Sequence, residues 1–232
     1  MKTIGILETG APPAALRERF GLYGQMFESL LGEANFAWRN YDVCNGALPE
    51  RPEDCDGYLI TGSAAGVYDP EPWIGATRDF LVAAKEKAAL VGVCFGHQLM
   101  AEAFGGKVIK SPKGWGLGLH RYDVHARARW MDAAASFAAA ASHQDQVVEL
   151  PPSARVLAGS DFCPLGMLAY DDQPAISLQL HPEFDPGYAI SLLEARRGTR
   201  YGVDEADAAI ASYDQPDDRV RLGGWMSRFL AQ

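Results

Sequence analysis

The segment Gly92-Val93-Cys94-Phe95-Gly96 constrains this chain more than any other, because it passes from an apolar run to a helix in a single tight turn. Before it, Ala88-Ala89-Leu90-Val91 carries no charge and reads as the end of a buried strand. After it, Leu99, Ala103 and Phe104 recur at helical spacing until Gly105-Gly106 stops the helix. Cys94 therefore sits at a strand-to-helix switch with Gly92 and Gly96 on either side, a nucleophile elbow with sulfur in place of the serine oxygen. The glycines are required because neighbouring Cβ atoms would collide in such a turn, where the nucleophile's own backbone is strained. The positive end of the helix dipole favours negative charge on the sulfur. A lone cysteine is otherwise best read as a buried structural residue, and the flanking glycines at a strand–helix switch reverse that preference. Cys94 is the nucleophile candidate.

Residues 3–7 read as a first strand, and Pro12-Pro13 launches a helix over 14–31 with Leu16, Phe20, Tyr23, Phe27 and Leu30 on its apolar face. Strands are expected over 35–41 and 56–61, and a helix over 75–87 leads to the strand before Cys94. Strands alternating with helices through short links predict a parallel sheet covered on both faces. Ligands bind such sheets beyond the carboxyl ends of the strands, where Thr61-Gly62-Ser63 and Cys94 both lie. The second half reads as extra, antiparallel strands at 107–110 and 116–124, then strands over 154–158, 166–170 and 175–180. Residues 131–141 are alanine-rich and favour helix by propensity, yet 137–141 runs straight into Ser142-His143-Gln144-Asp145 and is expected as strand. Helices are expected over 187–196, 204–213 and 217–230; in the last, Leu222, Trp225, Met226 and Phe229 form a stripe that must be buried. The expectation is one domain over 1–232, with 187–232 a helical extension packed back onto it, as a monomer or homodimer.

Several function classes are excluded by composition. A formal net charge of -9 makes nucleic acid and anionic membrane poor partners for the surface. Cys44, Cys55, Cys94 and Cys163 form no C-x-x-C, so no zinc knuckle, redox dithiol or other metal site is suggested, and no cofactor is called for. Neither a signal peptide nor a spanning segment is apparent, and a cytoplasmic setting is expected.

A nucleophilic thiol needs a base, and the base an orienter. Of five histidines, His97 lies on the nucleophile's own helix and suits packing, while His120 and His125 flank a strand of mixed polarity. His181 ends a strand and begins His181-Pro182-Glu183, where residues two apart point the same way and Pro182 favours extended geometry. Glu183 can then hold one imidazole nitrogen and leave the other for the thiol.

The elbow Cys94-Phe95-Gly96-His97-Gln98 and the distal His181-Pro182-Glu183 resemble the C-x-G-x-Q and H-P-E motifs of class I glutamine amidotransferases, especially the amidotransferase domain of GMP synthase. Thr61-Gly62-Ser63, Gly105-Gly106 and Ser142-His143-Gln144-Asp145, the last ahead of an expected short helix, match further family features in order over about 1–185. The resemblance implies a flavodoxin-like three-layer α/β sandwich and a Cys94–His181–Glu183 triad acting through a glutamyl thioester. It implies an oxyanion hole from the Ser63 and Phe95 N–H groups, and substrate contacts from Gln98, Ser142, Gln144 and Asp145. Two positions depart from GMP synthases: Gln144 and Ser63 each replace a glycine. The chain also lacks the S-G-G-x-D-S nucleotide loop, so it cannot use the ammonia it would make.

Three readings follow. The first is a stand-alone enzyme that hydrolyses glutamine and feeds ammonia to a synthase subunit. The second is a γ-glutamyl peptidase acting on γ-glutamyl compounds without an acceptor. The third is a catalytically silent regulatory protein, against which the intact Cys94, His181 and Glu183 argue.

Overall fold

The computed structural model describes residues 1–232. Its first half runs β1 (Thr3–Glu8), α1 (Ala14–Phe20), α2 (Tyr23–Leu31), β2 (Ala37–Asp42), β3 (Gly57–Ile60), α3 (Pro72–Ala84), β4 (Ala89–Val93) and α4 (Phe95–Ala103). The second half adds β5 (Lys107–Lys110), β6 (Gly116–Val124), β7 (Ser136–His143), β8 (Asp145–Glu149), β9 (Ala154–Gly159), β10 (Met167–Tyr170) and β11 (Ala175–Leu178). Three helices close the chain: α5 (Pro186–Arg196), α6 (Val203–Ala211) and α7 (Arg219–Leu230). No helix is long and apolar enough to cross a membrane.

Nine strands form one sheet in the order β2-β1-β3-β4-β11-β10-β9-β6-β7. The five from β2 to β11 are parallel, and β10, β9, β6 and β7 continue antiparallel. Tyr58, Leu59 and Ile60 of β3, like Leu90, Val91 and Val93 of β4, are wholly buried, the near-continuous apolar run expected of parallel strands covered on both faces. The fold is the expected flavodoxin-like α/β sandwich with antiparallel additions. The strands that carry Cys94 and lead to His181, β4 and β11, are adjacent and parallel, so their carboxyl ends emerge together.

The alanine-rich segment is a strand, as expected. β7 pairs along its length with β6, and Phe137 and Ala139 are fully buried, so pairing and burial override helix propensity. Other elements correct the sequence reading. The helix expected over 14–31 is two helices, because Gly21 adopts φ 77, a left-handed value that no α-helix continues through. Ser142-His143-Gln144-Asp145 leads not into a short helix but into β8, which pairs antiparallel with β5 as a separate two-stranded ribbon. The helix expected to end at Tyr213 stops at Ala211 and tightens into a 3₁₀ turn over Ser212–Asp214.

The apolar stripe of α7 packs within the chain. Leu222, Trp225 and Met226 are 0% exposed and share a core with Ile4, Phe27, Leu31 and Phe137. Trp225 meets Phe137 edge-on, with ring centroids 5.6 Å apart. Gly223 lets the α2 and α7 backbones approach; a Cβ there would lie 2.8 Å from the Leu30 side chain. Asp218 anchors the start of α7 on β7: its N–H donates to the Ala138 carbonyl at 2.7 Å, and its carboxylate accepts from the Ala138 N–H at 2.9 Å.

Candidate active site

Cys94 has φ 52 and ψ -103, a conformation an L-residue holds only when its surroundings fix it. They do so from both adjacent strands. The Cys94 N–H donates to the Leu178 carbonyl at 2.8 Å, and the Gly96 N–H to the Thr61 carbonyl at 3.1 Å. The flanking glycines are required by close approach: a Cβ on Gly92 would lie 2.5 Å from the Gly96 oxygen, and one on Gly96 would collide with the Ile60 carbonyl. The elbow expected from the sequence is present.

His181 follows β11, and its backbone N–H donates to the Ala140 carbonyl of β7 at 2.8 Å. Its ring stacks on Phe184, with centroids 4.1 Å apart and planes 7° apart, and its Nδ1 lies 2.7 Å from Glu183 Oε1. Nε2 is the ring nitrogen left for a thiol. Gly62 marks where ring and nucleophile converge: a Cβ there would sit 2.9 Å from His181 Cε1 and 3.6 Å from the Cys94 Cβ. Burial alone would push the imidazolium down, but the neighbouring Cys94 and Glu183, through charge and hydrogen bonding, hold it up at about 10. His97 shows the opposite outcome. Fully buried, with Nδ1 2.8 Å from Ser177 Oγ and no charged partner, it is pushed down to about 3. His97 packs against β11, while His120 lies edge-on to Phe162 and His125 is exposed, away from the cleft.

The oxyanion-hole candidates sit on fixed backbone. Phe95 opens α4, so its N–H has no intrahelical acceptor, and the Ser63 N–H donates to no protein group. The Gly62-Ser63 loop is clamped by two buried threonines. The Thr9 N–H donates to Thr61 Oγ1 at 3.0 Å, and the Thr9 hydroxyl to the Thr61 carbonyl at 2.9 Å. Sequence reading gives Thr9 no prominence; its position at the carboxyl end of a parallel strand is the one available signal.

Cys94, His181, Gly62 and Ser63 line a cleft of about 570 Å³, which Gln98, Ser142, Gln144 and Asp145 also line. Gln98 donates to the Asp145 carbonyl at 2.9 Å and to Gln179 Oε1 at 3.1 Å, so its amide NH₂ supports the opposite wall. The Asp145 carboxylate accepts from the Tyr68 hydroxyl at 2.8 Å, and Ser142 Oγ lies 3.4 Å from the Tyr201 hydroxyl. Gln144 lines the cleft, and His143 beside it is held neutral by burial, pushed down to about 3. The sequence did not single out Tyr68, Trp115 and Arg200, which reach the cleft from loops, or Arg196 at the end of α5; local pattern does not reveal where these segments lie.

Comparison with known proteins gives this geometry its family. The family model described as glutamine amidotransferase class-I matches residues 35–195. Gamma-glutamyl peptidase 2 of Arabidopsis thaliana is 30% identical over 221 residues, covering 89% of this chain and 88% of that protein. A glutamine-hydrolyzing GMP synthase subunit from Methanopyrus kandleri is 34% identical over 57% of this chain and 71% of that protein. A glutamine amidotransferase structure from Thermotoga maritima superposes with a TM-score of 0.74 at 18% identity, covering 100% of both chains, a likeness of fold. The chain belongs to the class I glutamine amidotransferases and is an enzyme of their kind, a cysteine-dependent amide hydrolase.

Proposed function

We propose that the protein hydrolyses the γ-amide bond of a glutamyl substrate through a thioester on Cys94. The observation that carries this reading is the convergence of strained Cys94 and the Glu183-anchored His181 ring on the bare backbone of Gly62. Sγ attacks the amide carbon beside a His181 ring that already holds the proton, and the C–N bond breaks as His181 passes that proton to the departing amine. The Ser63 and Phe95 N–H groups receive the oxyanion, each contributing about 3–4 kcal/mol. Water then adds to the thioester and gives its proton to His181; the thiolate leaves and a carboxylate is freed. Glu183 holds the ring's tautomer and offsets its positive charge. Gln98, Ser142, Gln144 and Asp145 line the place of the substrate's α-amino and carboxylate groups, and residues 1–232 act as one unit.

The amine released separates two versions. From glutamine it is ammonia, and a synthase subunit that accepts ammonia is then the partner. From a larger γ-glutamyl compound it is a substituted amine, and no acceptor is needed. The second version has the stronger support. Similarity to the γ-glutamyl peptidase runs over 89% of this chain, against 57% for the GMP synthase subunit. The cleft, at about 570 Å³, also falls in the range of about 300–1,000 Å³ that takes ligands larger than a free amino acid.

The test is glutamate release from glutamine and from a panel of γ-glutamyl dipeptides. Wild-type protein should release glutamate with the higher kcat/KM on dipeptides, and Cys94→Ala should release none. Undiminished release by Cys94→Ala would rule the mechanism out.

A further inference from the structure

The tail of the chain brings two cations into the cleft. Arg196 ends α5 and Arg200 follows it; both line the cleft, and both lie beyond residue 195, where the family match stops. Arg196 Nη1 donates to the Tyr201 hydroxyl at 3.0 Å, and that hydroxyl lies 3.4 Å from Ser142 Oγ. The Arg200 guanidinium lies over the Trp115 ring, 5.0 Å from its centroid, and Trp115 meets Tyr201 edge-on. An aromatic face and a hydroxyl position these groups without neutralising them.

No carboxylate stands within ion-pair distance of either arginine. The next residue along shows that this is a local choice. Arg197 faces away from the cleft and is bound through two nitrogens to Asp207, at 2.6 and 2.7 Å. In a chain of net charge -9, carboxylates to neutralise Arg196 and Arg200 are plentiful, yet both stand unpaired at the cleft, which Lys110 also lines. A stacked guanidinium keeps its in-plane N–H groups free, and that fork fits a carboxylate.

The glutamyl head brings one carboxylate, so two guanidiniums exceed what it needs. Asp69 and Asp145, which also line the cleft, suit its ammonium. We propose that Arg200, assisted by Arg196, binds a second carboxylate, carried on the amine side of the scissile bond. The preferred substrates are then γ-glutamyl amino acids and peptides with a free carboxylate on the leaving amine, rather than glutamine or neutral γ-glutamyl amides. This rests on the γ-glutamyl hydrolase reading and adds the class of leaving group to it.

The test uses binding, so that it stands apart from turnover. In a Cys94→Ala background, γ-glutamylglycine and γ-glutamylglycinamide, which differ in that carboxylate alone, are titrated by calorimetry. The acid should bind about tenfold or more tightly, the scale of one charge-assisted hydrogen bond. Arg200→Gln should remove most of that preference and Arg196→Gln part of it, whereas Arg197→Gln should leave it intact. Equal binding of acid and amide overturns the proposal. So does an equal loss for both ligands in Arg200→Gln and Arg196→Gln, which would assign the arginines to the glutamyl head. If wild-type protein hydrolyses no γ-glutamyl compound, the catalytic reading fails, and the acid-to-amide ratio still decides the arginines.

Discussion

The two walls of the cleft are built from different material. The wall from the parallel half is built around backbone at strand ends, Thr9-Gly10, Gly62-Ser63 and the elbow at Cys94, to which Tyr68 and Trp73 add side chains. Buried threonines and inter-strand hydrogen bonds fix it, and few of its atoms can move. The wall from the antiparallel half and the tail consists of long side chains, with Trp115, Gln144, Arg196 and Arg200 prominent. Donors aimed at a developing charge work best when no reorganisation is needed, which suits the first wall. Side chains that reach and adapt can discriminate among ligands, which suits the second. On the proposed mechanism, chemistry and selectivity sit on separate parts of the chain and should be separable by mutation.

The largest expected effect is at the base. His181→Ala should lower kcat by about 10³-fold or more, read as glutamate release, while the fold survives. Next is Gly62→Ala, which places a methyl 2.9 Å from His181 Cε1. The ring is held by Phe184 and Glu183 and has nowhere to go, so kcat should fall about 10²-fold with little change in KM. A neutral Gly62→Ala would show that the backbone wall yields, and the contrast between the walls would collapse.

A smaller effect concerns pH. His181 rises from its ordinary 6.5 to about 10 in the folded protein, so it is protonated more readily when folded than when unfolded. Its contribution to stability is complete below 6.5 and is lost as the pH climbs through about 10. Urea denaturation of the wild type and of His181→Ala should thus differ most at the lower pH and converge at the upper one. A constant difference would show that the ring is not held charged.

The smallest expected effect separates two buried histidines. His97 is neutral and bonded to Ser177, so His97→Asn should keep most of the activity at a stability cost of about 1 kcal/mol. A loss on the scale of His181→Ala would make it part of the catalytic wall.

The legible features were those written locally. Gly92, Cys94 and Gly96 specify a turn within five residues, and His181 with Glu183 lie two apart on extended chain, so spacing alone predicted their geometry. The order of strands and helices gave the parallel half in the same way. What stayed hidden depends on distant partners. The Thr9–Thr61 clamp joins residues 52 apart, and β8 exists because β5 lies beside it. The break at Gly21 turns on one backbone angle, which an otherwise continuous apolar face over 14–31 concealed. Gln98 matched a family position, yet its NH₂ bonds to Asp145 and Gln179 come from a topology that no local window contains.

The bonds that seat His181 and Asp218 on β7 have a consequence for the protein's life in a crowded solution. β7 is the last strand of the sheet, and Ser136-Phe137-Ala138-Ala139-Ala140-Ala141 carries no charge to repel another chain. An open edge of that composition invites strand addition and fibril growth. Here the outward N–H and carbonyl of Ala138 are both taken by Asp218, and the carbonyl of Ala140 is taken by the backbone N–H of His181. The amide that seats the proposed base thus also seals a seam against aggregation, and any loosening of the site around His181 would expose a template for self-association.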